Sequence, residues 1–252
     1  MKAFHNDPAV KEKYLTRLKA HAAADEFVKG TYWQNGKGCA VGCTIHGYDH
    51  QAYELELGLP VWLAHLEDAL FERMSNEKAK QFPIRFLSAI RVGANVEPVK
   101  WKFASSVLTE NIHRVEMLEL EHDVKARVVG VLHKVKALNE QAVKRGAWDY
   151  SKELLDAVSI EANNASRAAW NACCDVGQRS VYHCAAWSAE SAKSALWNTV
   201  SVAWSAASAE VAARLASRSG LASNAVDDSH SLSAAAYDRY AEILINLLQR
   251  AE

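Results

Sequence analysis

Ala185-Ala-Trp-Ser-Ala-Glu-Ser-Ala-Lys-Ser-Ala-Leu-Trp-Asn-Thr-Val-Ser-Val-Ala-Trp204 is the stretch that decides the fold. It lies in a longer tract, Ala162 to Ala225, dominated by Ala and Ser. Alanine is the best helix former, because its side chain loses no rotamer freedom. Proline occurs only at positions 8, 60, 83 and 98, so none interrupts the tract. Trp170, Trp187, Trp197 and Trp204 are embedded in it, and small residues opposite an indole let helix backbones approach closely. The spacing predicts tight antiparallel helix packing. Trp197 and Trp204 stand one heptad apart, too short a pattern for a coiled coil or tandem repeat. A last helix is predicted over Ser231–Arg250, with Tyr237, Tyr240, Ile243, Leu244, Leu247 and Leu248 inward.

The rest of the chain reads the same way. Asp7-Pro8 is an N-cap followed by the first helical residue, and the apolar spacing of Val10, Tyr14, Leu15, Leu18, Ala22 and Phe27 carries that helix to a stop at Gly30. Asp49 is placed to cap a short helix that stops at Gly58. Leu59-Pro60 opens another, with Trp62, Leu63, Leu66, Leu70 and Phe71 on one face. Ser75-Asn76 and Pro83 punctuate shorter pieces up to Gly93. Pro98 starts a long helical region that runs to Gly146, with a break near Glu121-His122-Asp123. Strand signals are sparse; Asn35-Gly36 is a turn between poor strands. The fold class is therefore all-α, a multi-helix bundle with a glycine-rich irregular segment near its N-terminus. One helical domain, 1–252, is expected, with a subdivision at 147/148 where lysine nearly vanishes.

Composition narrows the function. Net charge is −1, so there is no bulk basic field for nucleic acid or an anionic membrane. No apolar run approaches the ~20 residues that span a bilayer. With no signal-like apolar core at the N-terminus, a cytoplasmic location is expected. The five cysteines, Cys39, Cys43, Cys173, Cys174 and Cys184, are odd in number and read as reduced thiols.

The pattern breaks in one place, Gly30-Thr-Tyr-Trp-Gln-Asn-Gly-Lys-Gly-Cys-Ala-Val-Gly-Cys-Thr-Ile-His-Gly-Tyr-Asp-His50, extending to Glu54. Five of the eleven glycines lie between Gly30 and Gly47. Glycine lets backbone N–H groups converge on a ligand, and a loop feeding a helix N-terminus suits an anion. Tyr32, Trp33, Asn35, Lys37, Gly38, Cys39, His50 and Glu54 are the candidate ligand-binding residues, the aromatics to sandwich a planar ring and Lys37 to meet a phosphate. The GxxxxGK[ST] spacing of a P-loop is missing. A second use of the segment is nucleophilic, with Cys43 attacking, His46 as base and Asp49 as the orienting carboxylate. On one continuous helix Cys39, Cys43, His46 and His50 would share a face that could hold zinc, but the spacing matches no common zinc motif, and no cofactor is named. His65 with Glu67 and Asp68 joins a polar pocket if its helix packs on the segment. His21/Asp25 and His50/Glu54 are i,i+4 pairs of the ordinary helix-surface kind. Arg85 and Arg91 are candidate phosphate contacts. His122-Asp123 supplies the dipeptide of the HD-type phosphohydrolases, without their other ligands.

Residues 30–72, through Gly58-Leu-Pro and Leu66-Glu-Asp, resemble a group of uncharacterised bacterial and phage proteins. The resemblance implies no activity. A phage setting implies a counter-defence role such as sequestering a nucleotide signal. The expected function is thus binding of a small molecule, phosphate-bearing or nucleotide-like. The alternatives are a Cys/His hydrolase or transferase, and a helical protein that forms homo-oligomers through the Ala/Ser/Trp helices.

Overall fold

In the computed structural model, residues 1–172, 179–216 and 225–252 are described. Cys173 and Cys174 lie outside them. The described residues form twelve α-helices and one two-stranded ribbon, so the protein is an all-α, multi-helix protein as expected. The chain divides into two compact units, one formed by residues 1–100 with 237–252, the other by residues 101–236. The chain passes from the first to the second inside helix α7 (Val99–Glu116) and returns inside helix α12 (Ala225–Gln249).

The first unit opens with α1 (Pro8–Ala23), whose Asp7 cap accepts from the Ala9 N–H at 2.8 Å. The helix was expected to reach Gly30, but it ends seven residues earlier. Asp25 adopts φ 53°, and the chain leaves the helix to bridge Phe27 to Gly38. Strands β1 (Trp33–Gln34) and β2 (Lys37–Gly38) then pair antiparallel around Asn35-Gly36. Both turn residues have positive φ, 52° and 81°, the geometry whose twist matches a hairpin. The poor strand flanks read from sequence are thus two residues each, just enough to close the turn.

Helix α2 (Ala40–Ile45) follows, buried throughout, and stops at His46 in the left-handed region. Helix α3 (Ala52–Leu57) ends on Gly58 at φ 61°. Its start is two residues later than a cap at Asp49 implies, although Asp49 does accept from the Gln51 N–H. Helix α4 (Val61–Arg73) buries Leu63, Leu66, Leu70 and Phe71, the face its spacing predicted. Helices α5 (Asn76–Ala79) and α6 (Phe82–Ala89) complete this part. The last turns of α12 tie into the unit, with Arg85 in a two-bond ion pair with Glu242 and Ser75 N–H donating to Asp238.

The second unit holds α8 (His122–Arg145), α9 (Lys152–Asn171), α10 (Arg179–Ala195) and α11 (Thr199–Ala216) beside its share of α7 and α12. The predicted break falls at residues 117–121, just before the expected place. Helix α10 packs on α8, α9 and α11. Ala185, Ala186, Ala189 and Ala192 of α10 and Ala203, Ala206 and Ala207 of α11 are buried, which is the close helix approach that small residues permit. Trp170, Trp187 and Trp204 run edge to face, with centroids 6.3 and 5.0 Å apart. No helix among the described residues is long and apolar enough to cross a membrane.

Candidate functional site

Two glycines of the irregular segment, Gly38 and Gly42, approach protein backbone. A Cβ on Gly38 would stand 2.0 Å from the Tyr32 carbonyl oxygen, and one on Gly42 only 1.5 Å from the same atom. Gly38 is held on both sides, its N–H donating to the Glu26 carbonyl at 3.1 Å and its carbonyl accepting from Val28 at 2.8 Å. Cys39 N–H donates to the Thr31 carbonyl at 2.7 Å. The segment is therefore a knot of backbone in which β1 lies across the start of α2. Cys39 caps that helix, its Sγ accepting from the Gly42 N–H at 3.4 Å. Of the N–H groups expected to cradle an anion, those of Gly38, Cys39 and Gly42 are already engaged.

The knot sends its functional side chains two ways, because α2 stops at His46 and the helix that would have aligned Cys39, Cys43, His46 and His50 does not exist. On one side, His46 stacks on Trp33 with centroids 4.5 Å apart. His21 Nδ1 lies 2.6 Å from Glu26 Oε2, and His21 Nε2 lies 2.8 Å from His46 Nε2. With Glu26 accepting at Nδ1 of a neutral His21, the hydrogen between the two Nε2 atoms is assigned to His46. His21 therefore pairs with Glu26, and Asp25, its expected partner, bonds Lys80 instead. Burial, then Arg17 and His21, holds the His46 pKa below its ordinary value.

On the other side, Tyr32 and His50 meet at right angles with centroids 5.8 Å apart, and His50 stacks on His65 at 4.1 Å. His65, Asp68 and Glu72 share one face of α4 by their i, i+3, i+7 spacing. Cys39 Sγ, an Asp68 oxygen and a Glu72 oxygen all lie within 4.8 Å of one another. His50 Nε2 stands 3.7 Å from Asp68 Oδ2, beyond hydrogen-bond reach. His50 Nε2 and Asp68 Oδ1 are both buried and have no hydrogen-bond partner. Glu72 accepts from the Gly30 N–H at 2.7 Å. Beneath them Glu67 is fully buried, takes the Tyr53 hydroxyl at 2.5 Å, and has its pKa pushed up to about 8 by burial. The nearest cations are Lys29 and Arg73, both close enough to Glu72 to lower its pKa, against a burial that raises it more. The Tyr32 hydroxyl is raised as well, first by Asp68 and then by burial. The rim, Tyr32 and His65, is exposed, and the floor, Cys39 and Glu67, is buried.

The predicted residues are thus only partly assembled. Tyr32, Cys39 and His50 converge on α4, where His65 and Asp68 join them as the polar pocket foresaw. Trp33 and His46 lie in the other cluster. Asn35 and Lys37 are exposed on the hairpin. Glu54 accepts from the Val61 N–H and helps start α4. Cys43, His46 and Asp49 do not bond to one another: Cys43 Sγ meets the Gly38 and Glu26 carbonyls, and Asp49 its own turn. Burial raises both thiols, Cys43 to about 12 and Cys39 further, the shift opposite to the one that a thiolate nucleophile requires. Arg85 is taken by Glu242 and Arg91 by the Ala251 carbonyl. Asp123 of the His-Asp dipeptide pairs with Arg127 at 2.8 Å. Sequence reasoning missed Glu72, Glu26 and the role of His21. The only signal for Glu72 is its heptad distance from His65.

Compared with protein-family models, curated proteins and solved structures, the chain matches none.

Proposed function

We propose that the first unit binds a small ligand at the face of α4 that meets Tyr32, Cys39 and His50, and that this ligand is a cation. The observation that carries the reading is the pair of buried atoms without partners, His50 Nε2 and Asp68 Oδ1. An unsatisfied buried polar group costs about 1–3 kcal/mol, so a site that keeps two of them side by side has a use for them. Asp68 and Glu72 are the carboxylates at this place and a positive ligand gains from both, whereas burial holds Glu67 and the Cys39 thiol protonated. Exposed Tyr32 adds an aromatic ring at the rim, which also favours a cation.

The same charges disfavour the phosphate-bearing ligand expected from sequence. Lys37 stands away on the hairpin, where the acidic group it influences is Asp25. Sequestration of a nucleotide, the role implied by the resemblance to phage proteins, would require a cation between the phosphate and these carboxylates.

Thermal shift and isothermal titration of the full chain test the reading, with a panel of polyamines, guanidinium compounds, divalent metal ions and nucleotides. A cation is expected to raise Tm and to lose its effect in Asp68→Asn. A nucleotide that stabilises the native chain and Asp68→Asn equally, with no cation doing so, would overturn it.

A further inference from the structure

We infer that the cation is a transition-metal ion of the zinc class, held by Cys39 Sγ, Asp68 and Glu72 with His50 Nε2 as fourth donor. The inference rests on the cation-site reading above and narrows it to one chemistry.

The donor set selects the ion. Magnesium and calcium take oxygen ligands almost exclusively, whereas a thiolate and an imidazole beside two carboxylates suit zinc or cobalt. Three donor atoms already lie within 4.8 Å of one another. Bonds of about 2.3 Å to sulfur and about 2.1 Å to oxygen need them a little closer, a change within side-chain rotation. His50 Nε2 lies outside that group of three, but it is buried, 3.7 Å from Asp68 Oδ2 and without a hydrogen-bond partner, and a turn of its ring toward them makes it the fourth donor.

The surroundings hold these donors in place, as the outer shell of a metal site does. His50 is held by stacking on His65 and by a T-shaped contact with Tyr32. Glu72 is anchored by the Gly30 N–H, and Cys39 is fixed as the cap of α2. The four donors come from three places in the chain: the hairpin end, the loop before α3, and α4. No local spacing motif could therefore announce the site. Cys43 and His46, which a helical reading groups with Cys39 and His50, take no part. On binding, a metal–sulfur bond forms and the Cys39 proton leaves to solvent.

The test is titration of the metal-free full chain with Co(II), followed by absorption. One ion per chain is expected, with the thiolate-to-cobalt charge-transfer band and the visible bands of a tetrahedral ion. Cys39→Ser keeps a capping oxygen for α2 and should lose the charge-transfer band. Asp68→Asn and Glu72→Gln, which keep their shapes, should each weaken binding at least tenfold. The unchanged helical circular dichroism of each variant shows that it is folded. No Co(II) binding, a band that survives in Cys39→Ser, or affinities unaltered in the two carboxylate variants would overturn the inference. If polyamines bind in an Asp68-dependent way while Co(II) does not, the metal is refuted and the cation site stands; if neither binds, both fall.

Discussion

Gly42 lies so close beneath the Tyr32 carbonyl that a methyl group at its α-carbon would overlap that oxygen at 1.5 Å. The contact fixes β1 across α2 and sets where Tyr32 and Cys39 stand relative to α4. Gly42→Ala must therefore push two backbone segments apart, and overpacking of this kind costs about 1–3 kcal/mol or more. Gly130→Ala is the control. It lies in α8 with nothing within 4 Å of the added carbon, and it should stabilise by about 0.5–1 kcal/mol through helix propensity. Urea denaturation of the two variants checks the opposite signs.

The buried thiols give a second expectation. Cys39 and Cys43 are 1% and 0% exposed, and burial holds both protonated at neutral pH. Alkylation mapped by mass spectrometry should leave both unmodified in the native protein and label both in urea. A native Cys43 that reacts faster than a free thiol would restore the nucleophile reading.

His46 confers a pH dependence. Its pKa is held below the ordinary 6.5, first by burial, so the unfolded chain takes up the proton more readily than the folded chain. Stability from this residue is therefore present above about pH 6.5 and is lost as pH falls through its folded value. His46→Asn keeps a residue suited to φ 54° and removes the titration. The fall in Tm from about pH 7.5 to about pH 5.5 should be smaller in the variant than in the native chain. The difference will be modest because His46 is exposed.

In the second unit, Glu210 is 4% exposed and pairs with both Arg114 and Arg214. Glu210→Ala removes the shared carboxylate, while Arg114 keeps its bond to Asn111 and Arg214 is half in solvent, so the loss should cost about 1.5–3 kcal/mol, the worth of a charged hydrogen bond. Lys136→Ala, which removes an i,i+4 surface pair with Glu140, should cost about 0.3–0.5 kcal/mol. Denaturation of the two variants reads the contrast.

Much of the helical framework was legible in residue order. The cap at Asp7 and the stops at Gly58 and Gly146 are local events, each governed by a few neighbouring residues. The buried face of α4 and the close-packed alanines of α10 and α11 follow from periodicity, which a linear sequence displays. The end of α1 was not legible, because it is set by Phe27 bridging to Gly38, eleven residues on.

The site divides in the same way. Residue order by itself determined that the segment from Gly30 to Glu54 departs from the helical rule, and it raised a close approach of backbone as one use of the glycines, which Gly38 and Gly42 make. It also carried the suggestion that His65 and Asp68 would join it. Only the tertiary structure decided what the glycines approach, which is the Tyr32 carbonyl, and that His46 and His50 part to opposite clusters. It alone brought Glu72 to Cys39. The physical reason is that caps and amphipathic faces are short-range, whereas a constellation of donors depends on how three separate pieces of backbone are held against one another.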